Sequence, residues 1–188
     1  RVKNGISIIS SLVSLEAGRA ADAGTSGALS GLGDRVGALA SLYDQLNRTA
    51  DFHAIALDEY LASIVGDLTS SYGLAERGIE IVAALEPLSI DAKRAESVGL
   101  VAVELLTDAI KHAFPAGRRG RVDFVLGRAG EGVFLEVSDD GIGLPEGFEI
   151  EGSRGLGMTI VDMLASQLHG RIEAGKSPSG GALFRLTF

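Results

Sequence analysis

The chain has 188 residues, of which 46% are apolar, and it carries a formal net charge of −8 at pH 7. No block of basic residues interrupts this acidic balance, which argues against nucleic acid as the main partner, because phosphate contacts need clustered Lys and Arg. The absence of cysteine excludes disulfides and thiolate chemistry, as is typical of a reducing compartment. No apolar run approaches the roughly 20 residues of a membrane span, so we expect a cytoplasmic protein with no membrane segment in this chain.

Residues 2–48 are predicted to form two helices. The apolar stripe of the first contains Ile6, Ile9, Leu12 or Val13, and Leu15. The second carries a seam spaced in steps of three and four, as in coiled coils, formed by Leu29, Leu32, Val36, Leu39, Tyr43 and Leu46. A turn at residues 22–27 would give an antiparallel hairpin. A lone hairpin leaves part of its stripe open, so it needs either a second copy or the adjoining domain as a partner.

The rest of the chain alternates between helix and strand patterns. The predicted elements are a strand at 52–57, a helix that Asp58 caps and that runs through 72, a strand at 79–85, a helix at 91–114 ended by Pro115, strands at 121–126 and 133–137, a helix at 158–168, and a hairpin of strands at 171–175 and 182–188. Hairpin strands beside helices predict an α/β sandwich in which a mixed sheet carries helices on one face.

The long helix at 91–114 has two chemically different sides. On a helical wheel, Glu104, Thr107, Asp108, Lys111 and His112 share one side. The opposite side is apolar and consists of Ala102, Val103, Leu105, Leu106, Ala109, Ile110, Ala113 and Phe114. The polar line could be a solvated face. It could instead be a ligand face, since carboxylates suit Mg²⁺ and Lys or His side chains can meet phosphate oxygens.

Two glycine clusters follow the predicted strands. The first reads Asp-Asp-Gly-Ile-Gly-Leu-Pro at 139–145, and the second reads Ser-Arg-Gly-Leu-Gly-Met at 153–158. Glycine allows close approach of the backbone to a ligand. Gly155 and Gly157 precede an apolar periodic run, and a helix N-terminus there would favour phosphate. Each cluster by itself could also be an ordinary loop.

Taken together, these motifs resemble sensor histidine kinases. Residues 104–114 look like their N-box, 140–143 like their first glycine box, 154–158 like the second, and 180–184 like the strand that ends the ATP-binding domain. Residues 1–12 are similar to the phosphoacceptor helix of the HWE-related (HisKA_2-like) subgroup, in which a His directly precedes the Arg-Val-Lys-Asn string.

The resemblance implies an α+β chain with two domains. Residues 1–50 would form the dimerisation and phosphoacceptor hairpin, and residues 51–188 a Bergerat-type (GHKL) catalytic domain that binds ATP and Mg²⁺. The γ-phosphoryl group would pass to a His expected just before Arg1 and then to an Asp in the receiver domain of a response regulator. The hairpin seam suggests a homodimer, although members of this subgroup can be monomeric.

The resemblance also implies roles for individual residues. Asp140 should accept the exocyclic amine of adenine, and residues 144–154 should form a lid. Contacts with the base and the phosphates are implied for Gly141, Ile142, Gly143, Arg154, Gly155, Leu156, Gly157 and Met158. Glu104 and Asp108 should work around Mg²⁺.

Three further roles belong to polar residues. Lys111 and His112 should lie near the phosphates. Asn4 should help position the water that dephosphorylates the partner. Glu104, Lys111 and Asn4 are therefore the expected catalytic residues.

The chain departs from the family pattern at two points. Asp108 stands where the family usually has Asn, which adds a negative charge close to the triphosphate. The histidines at 53, 112 and 169 all lie outside the first hairpin helix, so the chain as given has no phosphoacceptor there. Both departures keep open an alternative, a phosphotransfer or scaffold pseudokinase with a degenerate nucleotide site. A serine kinase or anti-sigma factor of the same superfamily is a third reading, and the hairpin argues against it.

Overall fold

The computed structural model describes residues 13, 16–19, 22–48, 54–130, 132–150 and 156–188. The helices are α1 (Ala23–Arg48), α2 (Leu57–Ser71), α3 (Leu74–Arg77), α4 (Ala92–Asp108) and α5 (Leu156–Gln167). The strands are β1 (Ile55–Ala56), β2 (Ile79–Leu85), β3 (Ser89–Ile90), β4 (Gly120–Ala129), β5 (Gly132–Asp139), β6 (Arg171–Lys176) and β7 (Ala182–Thr187). This is the predicted α+β class.

A mixed sheet forms one layer of the molecule, with strand order β2-β4-β5-β7-β6. Strands β2 and β4 are parallel, and the other neighbours are antiparallel. The short strands β1 and β3, of which only β1 overlaps a predicted strand, pair separately. The predicted mixed sheet is therefore confirmed, and the strands predicted at 79–85, 121–126, 133–137, 171–175 and 182–188 all lie within or nearly coincide with observed ones.

Alternation of side chains gives the sheet one dry face. The inward residues of the three central strands are Val122, Phe124, Leu126, Leu135, Val137, Ala182, Phe184 and Leu186, and all are buried. The register places Phe124 opposite Val137 and Val137 opposite Phe184. The other face carries ion pairs such as Arg185 with Glu136, at 2.7 Å. Each fully buried large side chain contributes about 1.5–3 kcal/mol to stability, which favours packing of the helices against the dry face.

Helix α2 begins two residues earlier than a cap at Asp58 predicts. Leu57 is fully buried, and its N–H donates to the Leu88 carbonyl at 2.7 Å. Asp58 therefore lies inside the first turn, and Ala56 occupies the cap position without a side-chain hydrogen bond. The prediction that Asp58 caps this helix is wrong. An acid in the first turn still favours the helix, because it faces the positive end of the dipole.

The long helix has a break in its regular geometry. The Asp91 carboxylate caps α4 by accepting the N–H of Arg94 at 3.0 Å. After Asp108 the chain continues as a π-helical turn, Ala109–Ala113, before Pro115. The guanidinium of Arg77 donates to the Ile110 carbonyl within this turn, at 2.9 Å. Single π-turns are frequent at functional sites, and all five residues of this one belong to the predicted N-box.

The start of α1 corrects the predicted turn. Asp22 accepts the N–H of Thr25 at 2.7 Å, which is N-cap geometry. The helix begins at Ala23, so most of the stretch predicted as a turn is helical. The hydroxyl of Ser26 donates to the Ala17 carbonyl at 2.9 Å, which links α1 to the helical segment 16–19. The rest of the predicted first helix lies outside the described residues.

Helix α1 packs against α2 and α4 through one particular face. Among the side chains of α1 that the structure describes, Ala38 and Leu42 are buried, and the Tyr60 hydroxyl of α2 donates to the Ala38 carbonyl at 3.1 Å. In the predicted seam, Leu32 is exposed. The adjoining domain is therefore a partner of this helix, through a face next to the predicted seam. No helix of the described residues is long and apolar enough to cross a membrane.

Candidate nucleotide site

A cavity of about 330 Å³ opens at the ends of β5 and β7, beside the π-turn. Its lining comes from α4 and the π-turn, from the two strands and from the loop after β5, and consists of Leu105, Asp108, Ala109, His112, Ala113, Val137, Asp139, Ile142, Gly143, Leu144, Pro145, Phe148, Ala182 and Phe184. Most of these residues are apolar. A few polar groups in such a lining are typical of a small-molecule site.

Asp139 is the buried acid of this cavity, with 5% of its surface exposed. Its Oδ1 accepts the N–H of Gly141 at 2.8 Å and the N–H of Ala182 at 3.2 Å. Burial raises the pKa of Asp139, and the two backbone hydrogen bonds oppose that rise. The carboxyl group is thus held rigidly in an apolar environment, where it can accept hydrogen bonds from a ligand.

Asp140, which the sequence motif assigned to this role, faces the other way. Its Oδ1 accepts the N–H of Arg121 on β4 at 2.8 Å, and it does not line the cavity. Successive residues of a strand point to opposite faces. Asp139 shares the inward face with Leu135 and Val137. The structure therefore places Asp139, and not the predicted Asp140, in the cavity, and the alternation of residues 135, 137 and 139 was the signal in the sequence.

The loop after β5 forms one wall of the cavity. The N–H of Ile142 donates to the Ala113 carbonyl at 3.1 Å, while the Ile142 side chain is 62% exposed. Gly143 has φ of 77°, a conformation that other residues rarely adopt. Phe148 packs edge-on against Phe184, with ring centroids 6.0 Å apart. This loop contains the described part of the predicted lid.

A second cavity of about 260 Å³ adjoins the first, because Asp108 and His112 line both. Its walls combine α1, the polar line of α4 and the start of α5, and consist of Gly27, Ala28, Gly31, Arg35, Glu104, Thr107, Asp108, Lys111, His112, Gly157 and Met158. An apolar chamber with one buried acid thus joins a charged chamber. This division suits a ligand with an apolar ring at one end and charged groups at the other.

Asp108 stands where the two cavities meet. Partial burial raises its pKa, while His112 lowers it and Glu104 raises it again. His112 Nε2 lies 3.8 Å from Asp108 Oδ1. The Asp108 carboxylate is about half exposed, so its oxygens are accessible and are of the type that Mg²⁺ prefers.

The other two charged N-box residues already have partners. The Glu104 carboxylate binds the Arg35 guanidinium through both oxygens, one of them at 2.9 Å. The Lys111 ammonium lies over the Tyr72 ring, 5.6 Å from its centroid. Glu104 is thus engaged by an ion pair, which leaves Asp108 as the better placed metal ligand of the two expected acids. Within the polar line, Glu104 therefore faces α1, whereas the His112 side chain is 73% exposed to solvent.

The described part of the second glycine box lies at the start of α5. Gly157 and Met158 line the charged cavity, and the first amides of a helix favour anions. Leu156 is the first residue of α5. Arg154 and Gly155 of the same box, and Asn4 of the predicted phosphoacceptor helix, lie outside the described residues.

A larger cavity of about 460 Å³ lies between α1 and α2. The charged side chains among the described residues that line it are Asp34 and Asp67. Two acids would repel phosphate groups. The joined pair of cavities at Asp139 and Asp108 is therefore the stronger candidate for a nucleotide site.

Two family models match the chain. The model described as "Histidine kinase" matches residues 1–72. The model described as "Histidine kinase-, DNA gyrase B-, and HSP90-like ATPase" matches residues 94–188. The second match alone covers half of the chain. The residues of α4, β5, α5 and β7 that line the two cavities all lie within it.

Similar proteins include sensor histidine kinases. The chain is 34% identical over 167 residues to the sensor histidine kinase PdtaS of Mycobacterium tuberculosis, covering 88% of this chain and 33% of that protein. It is 28% identical over 185 residues to blue-light-activated histidine kinase 2 of Erythrobacter litoralis, covering 96% of this chain and 52% of that protein. The chain thus spans about a third to a half of the length of these relatives.

Solved structures agree with the fold. The histidine kinase domain of the Erythrobacter litoralis EL346 blue-light-activated kinase superposes with a TM-score of 0.77 at 22% identity, covering 98% of this chain and 94% of that one. A longer structure of the same kinase gives a TM-score of 0.73 at 27% identity, covering 86% of this chain and 54% of that one. The chain therefore belongs to the sensor histidine kinases, with a helical region of the HWE-related type followed by an ATPase domain of the Bergerat type.

Proposed function

We propose that this chain binds ATP with Mg²⁺ and transfers the γ-phosphoryl group to a histidine, from which an aspartate of a response regulator receives it in two-component signalling. The observation that carries the proposal is the buried Asp139 carboxylate at the end of an apolar cavity. A carboxylate accepts hydrogen bonds, so it is suited to the exocyclic amine of adenine. The cavity walls suit the faces of the purine ring.

The charged cavity is the proposed place for the phosphates. The side chains of Lys111 and His112, which line it, would donate hydrogen bonds to phosphate oxygens, and the first amides of α5 would add a favourable dipole. Asp108 would hold Mg²⁺ through oxygen, which fits the preference of this ion. The metal, when bound, would screen the charge on the phosphoryl group during transfer.

Other residues keep roles that rest on the family resemblance. Arg154 and Gly155 would complete the phosphate contacts, and Glu104 would act beside the metal. Asn4 would help position the water that removes the phosphoryl group from the partner. We propose the histidine acceptor for the position directly before Arg1, a cytoplasmic location, and either a dimer or a monomer built on the hairpin.

Calorimetric titration of the chain with ATP, with and without Mg²⁺, tests the binding step. We expect saturable binding that Mg²⁺ strengthens, because the ion offsets the negative charges of the triphosphate and of Asp108. Absence of binding at millimolar ATP would contradict the kinase proposal. That result would favour the alternative of a phosphotransfer or scaffold pseudokinase.

The transfer step requires a longer chain that carries the expected histidine. Incubation with ATP labelled in the γ-phosphoryl group should produce a label on the protein that acid removes and base does not, as for a phosphohistidine. Replacement of that histidine by Gln serves as the control. A label that persists in this control would show that another side chain is the acceptor.

A further inference from the structure

The hairpin helix α1 contributes a cation to the candidate site, although it lies outside the ATPase match. Arg35 donates from Nε and Nη2 to both carboxylate oxygens of Glu104. The two residues are 69 positions apart in the chain, and the Glu104 side chain is only 10% exposed. A fork of two hydrogen bonds between shielded charges fixes both the position and the orientation of the acid.

The neighbouring residue on α1 makes a second, complementary contact. Asp34 accepts the Tyr72 hydroxyl hydrogen at 2.6 Å, and the ring of Tyr72 lies beneath the Lys111 ammonium. Burial raises the pKa of Asp34, and the Tyr72 hydrogen bond and the positive charge of Lys111 oppose that rise. The consecutive residues Asp34 and Arg35 therefore face one N-box base and one N-box acid. This crossed arrangement specifies how α1 sits on α4.

Glu104 also lies next to the proposed phosphate site. A Cβ atom built on Gly157 would lie only 2.7 Å from Glu104 Oε2, so this carboxylate touches the start of α5. Asp108 is one helical turn further along α4. Without a partner, the charge of Glu104 would repel a bound triphosphate, and the interaction is strong because both groups are shielded from water.

We propose that Arg35 is a positioning residue of the nucleotide site, which holds the Glu104 carboxylate in place and offsets its charge beside the phosphates. This inference rests on the proposed ATP-binding function. It extends the site beyond the ATPase domain, since the neutralising cation comes from the hairpin helix. Nucleotide affinity and the docking of α1 on α4 are then coupled, as two events that depend on one ion pair.

Titration of the full chain with Mg²⁺ and ATP tests the inference in a set of variants. Arg35→Ala should raise the dissociation constant about tenfold, because one unpaired shielded charge then faces the phosphates. Arg35→Lys should restore part of the affinity, since lysine keeps the charge but loses the fork. The effect of Arg35→Ala should shrink only slightly at high salt, because salt screens partly buried charges much less than exposed ones.

A double-mutant test in the Glu104→Gln variant separates the proposed positioning role of Arg35 from a purely structural role. In Glu104→Gln, replacing Arg35 by Ala should cause no further loss of affinity, because the charge that Arg35 offsets is absent. Arg128→Ala is the matched control, since it breaks the exposed pair with Glu86 at 2.9 Å, away from both cavities. Its affinity should equal that of the wild type, and circular dichroism should show each variant folded.

Three outcomes would overturn the inference. The first is unchanged affinity in Arg35→Ala. The second is tighter binding in Arg35→Ala, which would make the ion pair a latch that the nucleotide must open. The third is an equal loss on adding Arg35→Ala in the Glu104→Gln background, which would mean that Arg35 acts through the fold. If the wild type itself binds no nucleotide, the proposed function fails first and this inference with it.

Discussion

The backbone N–H of Ala182 lies 3.2 Å from Oδ1 of Asp139, a residue 43 positions earlier in the chain. This hydrogen bond joins the end of β5 to the start of β7. The N–H of Gly141 reaches the same oxygen from the following loop. The orientation of the buried acid is therefore set by the sheet itself rather than by the loop alone, and several consequences can be measured.

Asp139→Asn should weaken ATP binding by about 10–100-fold, because a charged acceptor forms stronger hydrogen bonds than a neutral amide. Calorimetric titration measures this directly. Asp140→Asn is the matched control, because the Asp140 carboxylate accepts the Arg121 N–H outside the cavity, and it should bind ATP like the wild type. The reverse pattern, with binding lost only in Asp140→Asn, would reinstate the assignment made from the sequence motif.

Gly181→Ala should disturb the Asp139 carboxylate, because Gly181 precedes β7 and lies against Asp139. A Cβ at this position would overlap Asp139 at both Oδ1 and the backbone. We expect a loss of about 1–3 kcal/mol in the free energy of unfolding from this overpacking, together with weaker ATP binding. Denaturant titration and calorimetry measure the two effects.

Gly175→Ala is the control for that change. A Cβ on Gly175 would meet no atom within 4 Å, although the residue lies on the neighbouring strand β6. Its unfolding free energy and ATP affinity should match those of the wild type. Equal effects of the two substitutions would mean that the contact with Asp139 is not the cause.

Asp108→Asn introduces the residue that the N-box of the family usually has at this position. It removes a negative charge at the junction of the two cavities, so ATP should bind about three- to tenfold more tightly without Mg²⁺. With Mg²⁺ the gain should be smaller, because a neutral carbonyl is a weaker ligand than a carboxylate. The measurement is the ratio of the ATP dissociation constant without Mg²⁺ to that with Mg²⁺, compared between the wild type and Asp108→Asn. An unchanged ratio would show that Asp108 is not close to the metal or the phosphates.

The stability of the unliganded protein should depend on Asp139 through pH. Burial raises the pKa of this carboxyl above its ordinary value of 3.8, so in the window between the two pKa values the folded state binds more protons than the unfolded state. Lowering the pH through that window therefore stabilises the protein, and at neutral pH the buried charge costs stability. Calorimetric unfolding of wild type and Asp139→Asn at a series of pH values measures this contribution.

The asparagine variant has no proton to bind at this position. It should gain less stability than the wild type as the pH falls, and at neutral pH it should be at least as stable. Asp22 is a useful internal contrast, because hydrogen bonds from Thr25 lower its pKa and its contribution has the opposite sign. Parallel pH profiles for wild type and Asp139→Asn would refute the role assigned to burial.

The regular elements of the ATPase part could be predicted because each depends on a short repeat in the chain. The strand at Ile79–Leu85 matches its prediction, and the helix predicted at 158–168 begins two residues earlier, at Leu156. Local chemistry misled the prediction at two helix starts. Asp58 and Asp22 both resemble caps, and only Asp22 accepts the required N–H, because the burial of Leu57 sets where α2 begins.

The sequence by itself determined the family, the order of the longer helices and strands of the ATPase part, and the polar line from Glu104 to His112, since these follow from local periodicity and motif spacing. Only the tertiary structure decided that Asp139 rather than Asp140 enters the cavity, and that Arg35 engages Glu104. The first depends on which face of β5 the helices cover. The second depends on how α1 docks on α4, which is the sum of many weak contacts between residues far apart in the chain and leaves no pattern in any short stretch of it.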